Sequence, residues 1–315
     1  MTIQRIVSIC GDGHLRLDRR VAYLLGNAFE NRSPDRDLDP DLTLAGFSCE
    51  AALDRLDQIA GTPSPSRAWS DLFWMHLPWD AFERELGPIR VLDLGCGSGQ
   101  YGVRLQSWSG ERIAHYGGLD VQADPRWREL SSRFPFIECR AGDVGQLDGL
   151  IPTGTNLIVS QSALEHVADD VRVLDQIHAY AHRSGRPLLQ VHLVPSAACL
   201  GLYLWHGYRQ YTPRALSAIT ARFADCSERL LVGLGGRACN ALHWRFITWP
   251  VLIRRTADPR ATRPAEYRRA LAAAMAADIR APQRSPSFYA LLIHSNRRQR
   301  VLESPCFGRD RIVAP

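Results

Sequence analysis

The stretch that decides the fold is Val91–Gly102, VLDLGCGSGQYG, in which branched apolar residues and one aspartate run into four glycines. It satisfies two templates at once. Counted from Asp93 it is D-x-G-x-G-x-G, which ends at Gly99. Counted from Gly97 it is G-x-G-x-x-G, the dinucleotide-binding fingerprint, which ends at Gly102. The two templates predict different cofactors, so residues outside the loop must decide between them.

From Ile89 onward, short apolar runs alternate with helical stretches, which is typical of a parallel sheet covered by helices on both faces. The strand-like runs are IRVLDLG, HYGGLDV, FIECRAGD, TNLIVSQS, RPLLQVHLV, ERLLVGLGG and SFYALLIHS. We therefore predict an α/β domain over residues 88–296, with a doubly wound, seven-stranded, mostly parallel sheet and a helical insertion near 237–285. Residues 297–315 are expected to form a C-terminal tail.

The N-terminal part differs from this pattern. Residues 1–60 lack the alternating apolar rhythm of a sheet, and Leu15–Phe29 has apolar residues at helical spacing, at Leu17, Val21 and Leu25 among others. We predict that residues 1–87 form a helical lid over the open edge of the sheet.

The composition fits an enzyme of the cytoplasm. The chain has 315 residues, 45% of them hydrophobic and 23% charged, and it lacks both a secretory signal and an apolar run of about 18 residues that would span a membrane. Its eight cysteines are scattered without a C-x-x-C pair, which favours reduced thiols. The net charge of +5 is carried by arginine alone, which the base composition of a GC-rich genome is sufficient to explain.

Three acids follow three successive strands: Asp93, Asp120 and Asp143. Ligands of an open parallel sheet bind beyond the carboxyl ends of its strands, so we expect these side chains at one site. Asp120 lies about 20 residues past the glycine turn, where a carboxylate can bind both hydroxyls of a ribose. That role would suit a nicotinamide cofactor equally well.

Asp93 favours the first template. A pyrophosphate needs bare backbone N–H groups at the helix N-terminus, and an acid two residues before the first glycine would repel it. A ligand with an ammonium and a sulfonium would instead be attracted to Asp93, while its own carboxylate meets the positive end of the helix. Asp143 can accept a hydrogen bond from an adenine amine. Three acids on successive strand ends therefore indicate S-adenosylmethionine rather than NAD.

The segments VLDLGCGSGQYG, GGLDV, AGDV and IVSQSALEHV resemble the successive motifs of class I S-adenosylmethionine-dependent methyltransferases, over roughly residues 88–215. The resemblance implies a Rossmann-like methyltransferase fold and S-adenosyl-L-methionine as cofactor. In this family the glycine loop lies under the methionine part, and the second-strand and third-strand acids bind ribose and adenine. The cofactor-binding residues implied are Asp93, Gly95, Gly97, Gly99, Asp120, Val121, Asp143, Val144, Ser160 and Gln161.

The end of the fourth predicted strand bears on the methyl acceptor. Amino-methylating enzymes that act on bases carry Asn/Asp-Pro-Pro-Tyr/Phe there, whereas this chain has SQSALEH, and the nucleophilic cysteine of cytosine-C5 enzymes is missing. We expect a small-molecule acceptor and no nucleic acid. Some quinone-type O-methyltransferases bind a divalent metal at Glu-x-x-Glu-His, but Ser162 stands where the first glutamate would be, so no metal is expected.

Histidines near the same sheet edge are the candidate general bases, because imidazole titrates near working pH. They are His206, His192 and His166. His206 ranks first because Arg209 and Tyr211 follow it and can hold an anionic or hydroxylated acceptor. The expected reaction is methyl transfer to an oxygen, in preference to a nitrogen, of a small polar acceptor such as a sugar or metabolite.

Two alternatives stay open at this point. The G-x-G-x-x-G template fits an NAD(P)-dependent oxidoreductase or epimerase. A methyltransferase-like protein without catalytic activity, acting as a binding partner, is the other.

Overall fold

A nine-stranded mixed sheet forms the centre of the computed structural model, which describes residues 9–13, 15–33, 35–225, 227–281 and 285–308. The strands are β1 (Leu42–Phe47), β2 (Ile89–Leu94), β3 (Ile113–Asp120), β4 (Ile137–Ala141), β5 (Leu157–Gln161), β6 (Leu188–Pro195), β7 (Ser227–Leu234), β8 (Phe288–Ser295) and β9 (Phe307–Gly308). Their order across the sheet is β4-β3-β2-β5-β6-β8-β7-β1-β9.

Helices connect most of these strands. The α-helices are α1 (Leu17–Glu30), α2 (Pro65–Met75), α3 (Trp79–Leu86), α4 (Gln100–Trp108), α5 (Arg126–Arg133), α6 (Asp170–Ser184), α7 (Leu200–Tyr203), α8 (Pro213–Thr220), α9 (Arg237–His243), α10 (Pro259–Thr262) and α11 (Pro264–Arg280). Four 3₁₀ segments (Glu50–Gln58, Leu164–His166, Ala197–Cys199, Ala221–Phe223) and a π-helix (Trp244–Ile253) complete the elements.

The sheet is parallel from β4 through β6, and β8 then runs antiparallel between β6 and β7. Every residue of β6 and of β8 is buried, which is why both strands are nearly continuous apolar runs in the sequence. Apolar side chains form one core on each face of the sheet: Val91 belongs to the core that contains Trp69, and its neighbour Leu92 belongs to the core that contains Leu174. The predicted doubly wound α/β fold is confirmed.

The predicted count of seven strands is wrong, because β1 and β9 extend the sheet to nine. All seven predicted strands are present as β2 to β8. β1 lies within residues 1–60, where no strand was expected, and pairs in parallel with β7. Buried Arg229 of β7 bonds Asp39, just before β1, at 2.7 Å. The short run LTLAGF carries no clear alternation of its own, and it becomes a strand through its pairing with β7 on one side and β9 on the other.

Between β7 and β8 lie α9 to α11 and the π-helix. Of the predicted tail, β9 pairs antiparallel with β1, and residues 309–315 lie outside the described residues. Among the helices that the structure describes, none is both long and apolar enough to cross a membrane.

Candidate active site

The glycine loop links β2 to α4 through three residues in the left-handed region. Gly95, Gly97 and Gly99 have φ of 76°, 53° and 76°, which L side chains rarely adopt. Space is also limiting at Gly95, because a Cβ there would lie 2.5 Å from the Cβ of Ala163. Gly95 and Gly97 therefore form a turn without side chains, and Gly99 is the N-cap of α4.

Asp93, at the end of β2, is 2% exposed. Its Oδ2 accepts a hydrogen bond from the hydroxyl of Tyr116, whereas its Oδ1 has no partner among the described residues. Burial raises the pKa of Asp93 to about 7; the Tyr116 hydrogen bond opposes this and the charge of Asp120 adds to it. A buried carboxylate oxygen without a donor is suited to receive a cationic ligand group.

The other two acids lie at the same sheet edge. Asp120, the last residue of β3, accepts the backbone N–H of Gly97 at 2.8 Å, so the glycine loop and the second acid are already in contact. Asp143 is exposed and accepts the N–H of Gly145 at 2.8 Å. As expected from the parallel topology, the structure brings the three strand ends together.

A pocket of about 400 Å³ lies beside this loop, and we call it the glycine-loop pocket. Its lining residues are Gly95, Asp120, Val121, Asp143, Val144, Ser162, Ala163, His166, Val167 and Ala168. Five of the predicted cofactor residues line it, and Asp93 lies at the base of the same loop.

The other five predicted cofactor residues do not line this pocket: Asp93, Gly97, Gly99, Ser160 and Gln161. Ser160 is fully buried, and its hydroxyl lies 2.9 Å from Nδ1 of His192, so it packs in the core rather than flanking a sulfonium. Gln161 accepts a hydrogen bond from the indole of Trp74 at 2.8 Å and lines a neighbouring cavity. The expected position of Ser160 beside the cofactor is corrected accordingly, whereas that of Gln161 stays a prediction.

That neighbouring cavity has a volume of about 190 Å³, and we call it the Tyr203 cavity. It is lined by Ser64, Ser66, Arg67, Ser70, Gln161, Ser162, Tyr203, His206 and Phe288. Hydroxyl groups, one guanidinium and two aromatic rings therefore surround a space that fits a small polar molecule. Ser162, with φ of 56°, lines both this cavity and the glycine-loop pocket.

The three candidate histidines occupy different environments. His192 is fully buried between Ser160 and Gln190, and burial lowers its pKa to about 3. A neutral imidazole inside the sheet cannot reach an acceptor, so the expectation of a base at His192 is wrong. His166 instead lines the glycine-loop pocket, and His206 lines the Tyr203 cavity.

His166 and His206 form a cluster with two carboxylates. Their rings meet edge to face, with centroids 4.7 Å apart, and Asp12 bonds Nδ1 of His166 at 2.6 Å. Nε2 of His206 lies 3.5 Å from Glu165. Burial by itself would lower the pKa of His206, but the hydrogen bond and charge of Glu165 and the charge of Asp12 outweigh it and raise the pKa.

Arg209 and Tyr211 do not line either pocket. The guanidinium of Arg209 donates to the carbonyls of Val167 and Ala168, each at 2.7 Å, and it lies 3.2 Å from Asp170. The Tyr211 hydroxyl donates to the same aspartate at 2.6 Å. These polar groups already form hydrogen bonds inside the protein. We therefore correct the expected role of Arg209 and Tyr211 from binding the acceptor to supporting the segment that contains Val167 and Ala168.

Sequence reasoning missed three side chains of this region. Asp12 comes from the segment before α1, Arg67 from α2, and Glu165 from the 3₁₀ turn after β5. Glu165 belongs to the quoted ALEH motif and was a visible candidate. Asp12 lies between two glycines, Gly11 and Gly13, which is a signal of a turn and not of a site.

Comparison with known proteins agrees with the motifs. Residues 92–189 match the family described as "Methyltransferase domain". That range runs from within β2 to the start of β6 and includes the three acids and His166. The search of curated proteins gave no match to the chain.

Solved structures of methyltransferases are similar at low identity. The plantazolicin methyltransferase BamL, in complex with a triazolic desmethylPZN analog and SAH, is 13% identical, with a TM-score of 0.48 over 88% of this chain and 97% of that one. The Burkholderia thailandensis 1,6-didemethyltoxoflavin-N1-methyltransferase is 18% identical, with a TM-score of 0.38 over 78% of this chain and 88% of that one. The riboflavin-derivative dimethyltransferase RosA from Streptomyces davawensis is 20% identical, with a TM-score of 0.36 over 46% of this chain and 47% of that one. Similarity at this level carries no information about the acceptor.

The ordered motifs, the doubly wound sheet and the family match define the class: the chain is an S-adenosylmethionine-dependent methyltransferase with the class I fold. Its methyltransferase domain contains residues 92–189. The match to a methyltransferase domain favours S-adenosylmethionine over the NAD(P) that the G-x-G-x-x-G template also allowed.

Proposed function

We propose that the enzyme transfers the methyl group of S-adenosylmethionine to an oxygen, in preference to a nitrogen, of a small polar acceptor such as a sugar or metabolite. One observation carries this: the glycine-loop pocket and the Tyr203 cavity share Ser162 as a lining residue. A donor in the first and an acceptor in the second would meet there. Holding two reactants in line accounts for a large part of such a rate enhancement.

We propose that the donor lies along the three acids. Asp120 binds the ribose hydroxyls, Asp143 and Val144 bind adenine, and Asp93 attracts the ammonium and sulfonium. Two observations support this assignment: Oδ1 of Asp93 has no partner among the described residues, and Asp120, Asp143 and Val144 line one pocket.

In the reaction we propose, a lone pair of the acceptor oxygen attacks the methyl carbon as the carbon–sulfur bond breaks. The bonding electrons return to sulfur, which leaves neutral S-adenosylhomocysteine. The acceptor proton passes to His206, the imidazole that lines the Tyr203 cavity. Arg67 lines the same cavity and takes the role of anion binding that Arg209 was expected to have.

We also propose that the N-terminal region, residues 1–87, acts as a lid in the cytoplasmic enzyme. Several contacts support a lid: Tyr23 of α1 donates to the carbonyl of His206 at 2.8 Å, and Gly11 donates to the carbonyl of Gly207 at 2.6 Å. A cytoplasmic location is supported by the free thiols of the described cysteines.

The test is transfer of labelled methyl from S-adenosylmethionine to small molecules extracted from the source organism, with the product identified by mass spectrometry. We expect an O-methylated product of a small polar molecule, formed together with S-adenosylhomocysteine. The matched control is Asp120→Ala, which should lose transfer at low donor concentration. Methylation only of nucleic acid or protein in the same extract would overturn the proposal.

A further inference from the structure

We propose that Asp12, His166 and His206 bind a divalent transition-metal cation where the two pockets meet. One ligand atom from each of these residues lies within 4.8 Å of the other two. They come from three separate parts of the chain, so only the folded protein assembles the set. The binding of the cation does not depend on the proposed function. Only the role of the cation in methyl transfer rests on that function.

The two imidazoles direct the same nitrogen atoms towards the same carboxylates. Nδ1 of His166 lies 2.6 Å from Asp12, and Nδ1 of His206 lies 4.0 Å from it. Their Nε2 atoms lie 3.9 Å and 3.5 Å from Oε1 of Glu165. Each ring therefore turns one nitrogen towards Asp12 and the other towards Glu165, so that two Nδ1 atoms and one carboxylate converge.

Glu165 has the position of a residue that orients metal ligands. It is fully buried, and its Oε1 accepts a hydrogen bond from Ser162. Histidines that bind metals commonly donate their second N–H to a carboxylate, which fixes the tautomer. Asp12 is held in turn, because the N–H of Gly207 donates to its Oδ1 at 2.9 Å. The side chains are thus oriented without an ion.

The ligand chemistry selects the kind of cation. Two neutral imidazoles and one carboxylate suit Zn²⁺, Mn²⁺ or Fe²⁺, whereas Mg²⁺ and Ca²⁺ prefer oxygen ligands alone. With Glu165 the site carries two carboxylates, which balance a divalent charge. This set differs from the Glu-x-x-Glu-His motif, since only His166 of the corresponding segment is a ligand. The proposed site also replaces the expectation, made from Ser162 in the sequence, that the protein binds no metal.

The position suggests what the ion would do. His166 lines the glycine-loop pocket and His206 lines the Tyr203 cavity, so a cation between them lies beside an acceptor in that cavity. A divalent cation lowers the pKa of an oxygen that it binds. With an ion bound, His206 would hold the ion instead of accepting the acceptor proton as proposed above for the metal-free enzyme, and the ion would favour loss of that proton to solvent before methyl transfer.

The experiment is direct titration of the purified full chain after chelator treatment. Co²⁺ binding is followed by visible absorption and Zn²⁺ binding by calorimetry, and we expect one ion per chain, with much weaker binding of Mg²⁺. Asp12→Ala and His166→Ala should each weaken binding by about 100-fold or more, and Glu165→Gln by about 10–100-fold. The matched control is His115→Ala, which removes another imidazole near a carboxylate, 3.7 Å from Glu138, and should change nothing.

Circular dichroism and chemical unfolding, measured on the same metal-free samples, show whether each variant is folded. Absent Co²⁺ and Zn²⁺ binding, or equal binding by folded Asp12→Ala and the parent protein, would overturn the metal site. Undiminished methyl transfer by metal-free protein that binds no cation would overturn it and leave the proposed function intact. Stoichiometric binding that depends on Asp12 and His166, without transfer to any hydroxyl acceptor, would support the site and contradict the proposed function.

Discussion

Asp93 provides a test of donor binding through pH. Burial raises its pKa from 3.8 to about 7, so near pH 6 the side chain is mostly protonated. If the cationic part of S-adenosylmethionine requires the carboxylate form, donor affinity should rise with pH. A group with a pKa of about 7 makes binding about tenfold weaker at pH 6 than at pH 8.

The same shift affects the free energy of unfolding. Between pH 4 and pH 7 the folded chain keeps a proton on Asp93 that the unfolded chain has lost, so stability falls as pH rises. A pKa difference of about 3 units corresponds to at most about 4 kcal/mol. Asp93→Asn should therefore remove this part of the pH dependence and bind the donor more weakly at pH 8.

Calorimetry of donor binding at pH 6, 7 and 8, together with chemical unfolding at the same pH values, measures both effects. Asp143→Asn is the control: it removes an exposed carboxylate of the glycine-loop pocket but leaves Asp93 in place, so the tenfold pH dependence should persist. Donor affinity that is constant from pH 6 to pH 8 in the parent protein would refute the reasoning, as would the same pH dependence in Asp93→Asn.

Four further substitutions test the site. Asp120→Ala leaves the ribose hydroxyls without a partner and should weaken donor binding by about 1–3 kcal/mol in calorimetry; tight NAD binding without any response to S-adenosylmethionine would contradict the assignment. His206→Ala should lower turnover by about 10²–10⁴-fold in steady-state kinetics with donor affinity unchanged, and full activity from pH 6 to 9 would exclude His206. Gly97→Ala, with open space around its Cβ, should cost about 1–2 kcal/mol of stability in chemical unfolding, whereas Gly95→Ala should cost more because its Cβ meets Ala163; equal losses would show that the contact does not matter.

Much of the fold was readable because its signals are local. A strand buried on both faces is an apolar run wherever it lies, so β2 to β8 could be found from the sequence. Parallel topology then brings the residues that follow those strands to one edge, which is why Asp93, Asp120 and Asp143 were predicted together. β1 was missed because it is a strand only through its pairing with the distant β7 and β9.

The roles of individual side chains depend on which way each one points, and a sequence pattern does not contain that. Leu17 of the amphipathic α1 is 76% exposed, although its spacing suggested a packed face. His192 and His206 were both candidate bases, yet the first lies inside the sheet and the second lines a cavity. Asp12 bonds His166 across 154 residues of chain. The sequence by itself determined the sheet and its glycine loop through local periodicity, whereas the cluster of imidazoles and carboxylates exists only because the tertiary fold packs distant segments together.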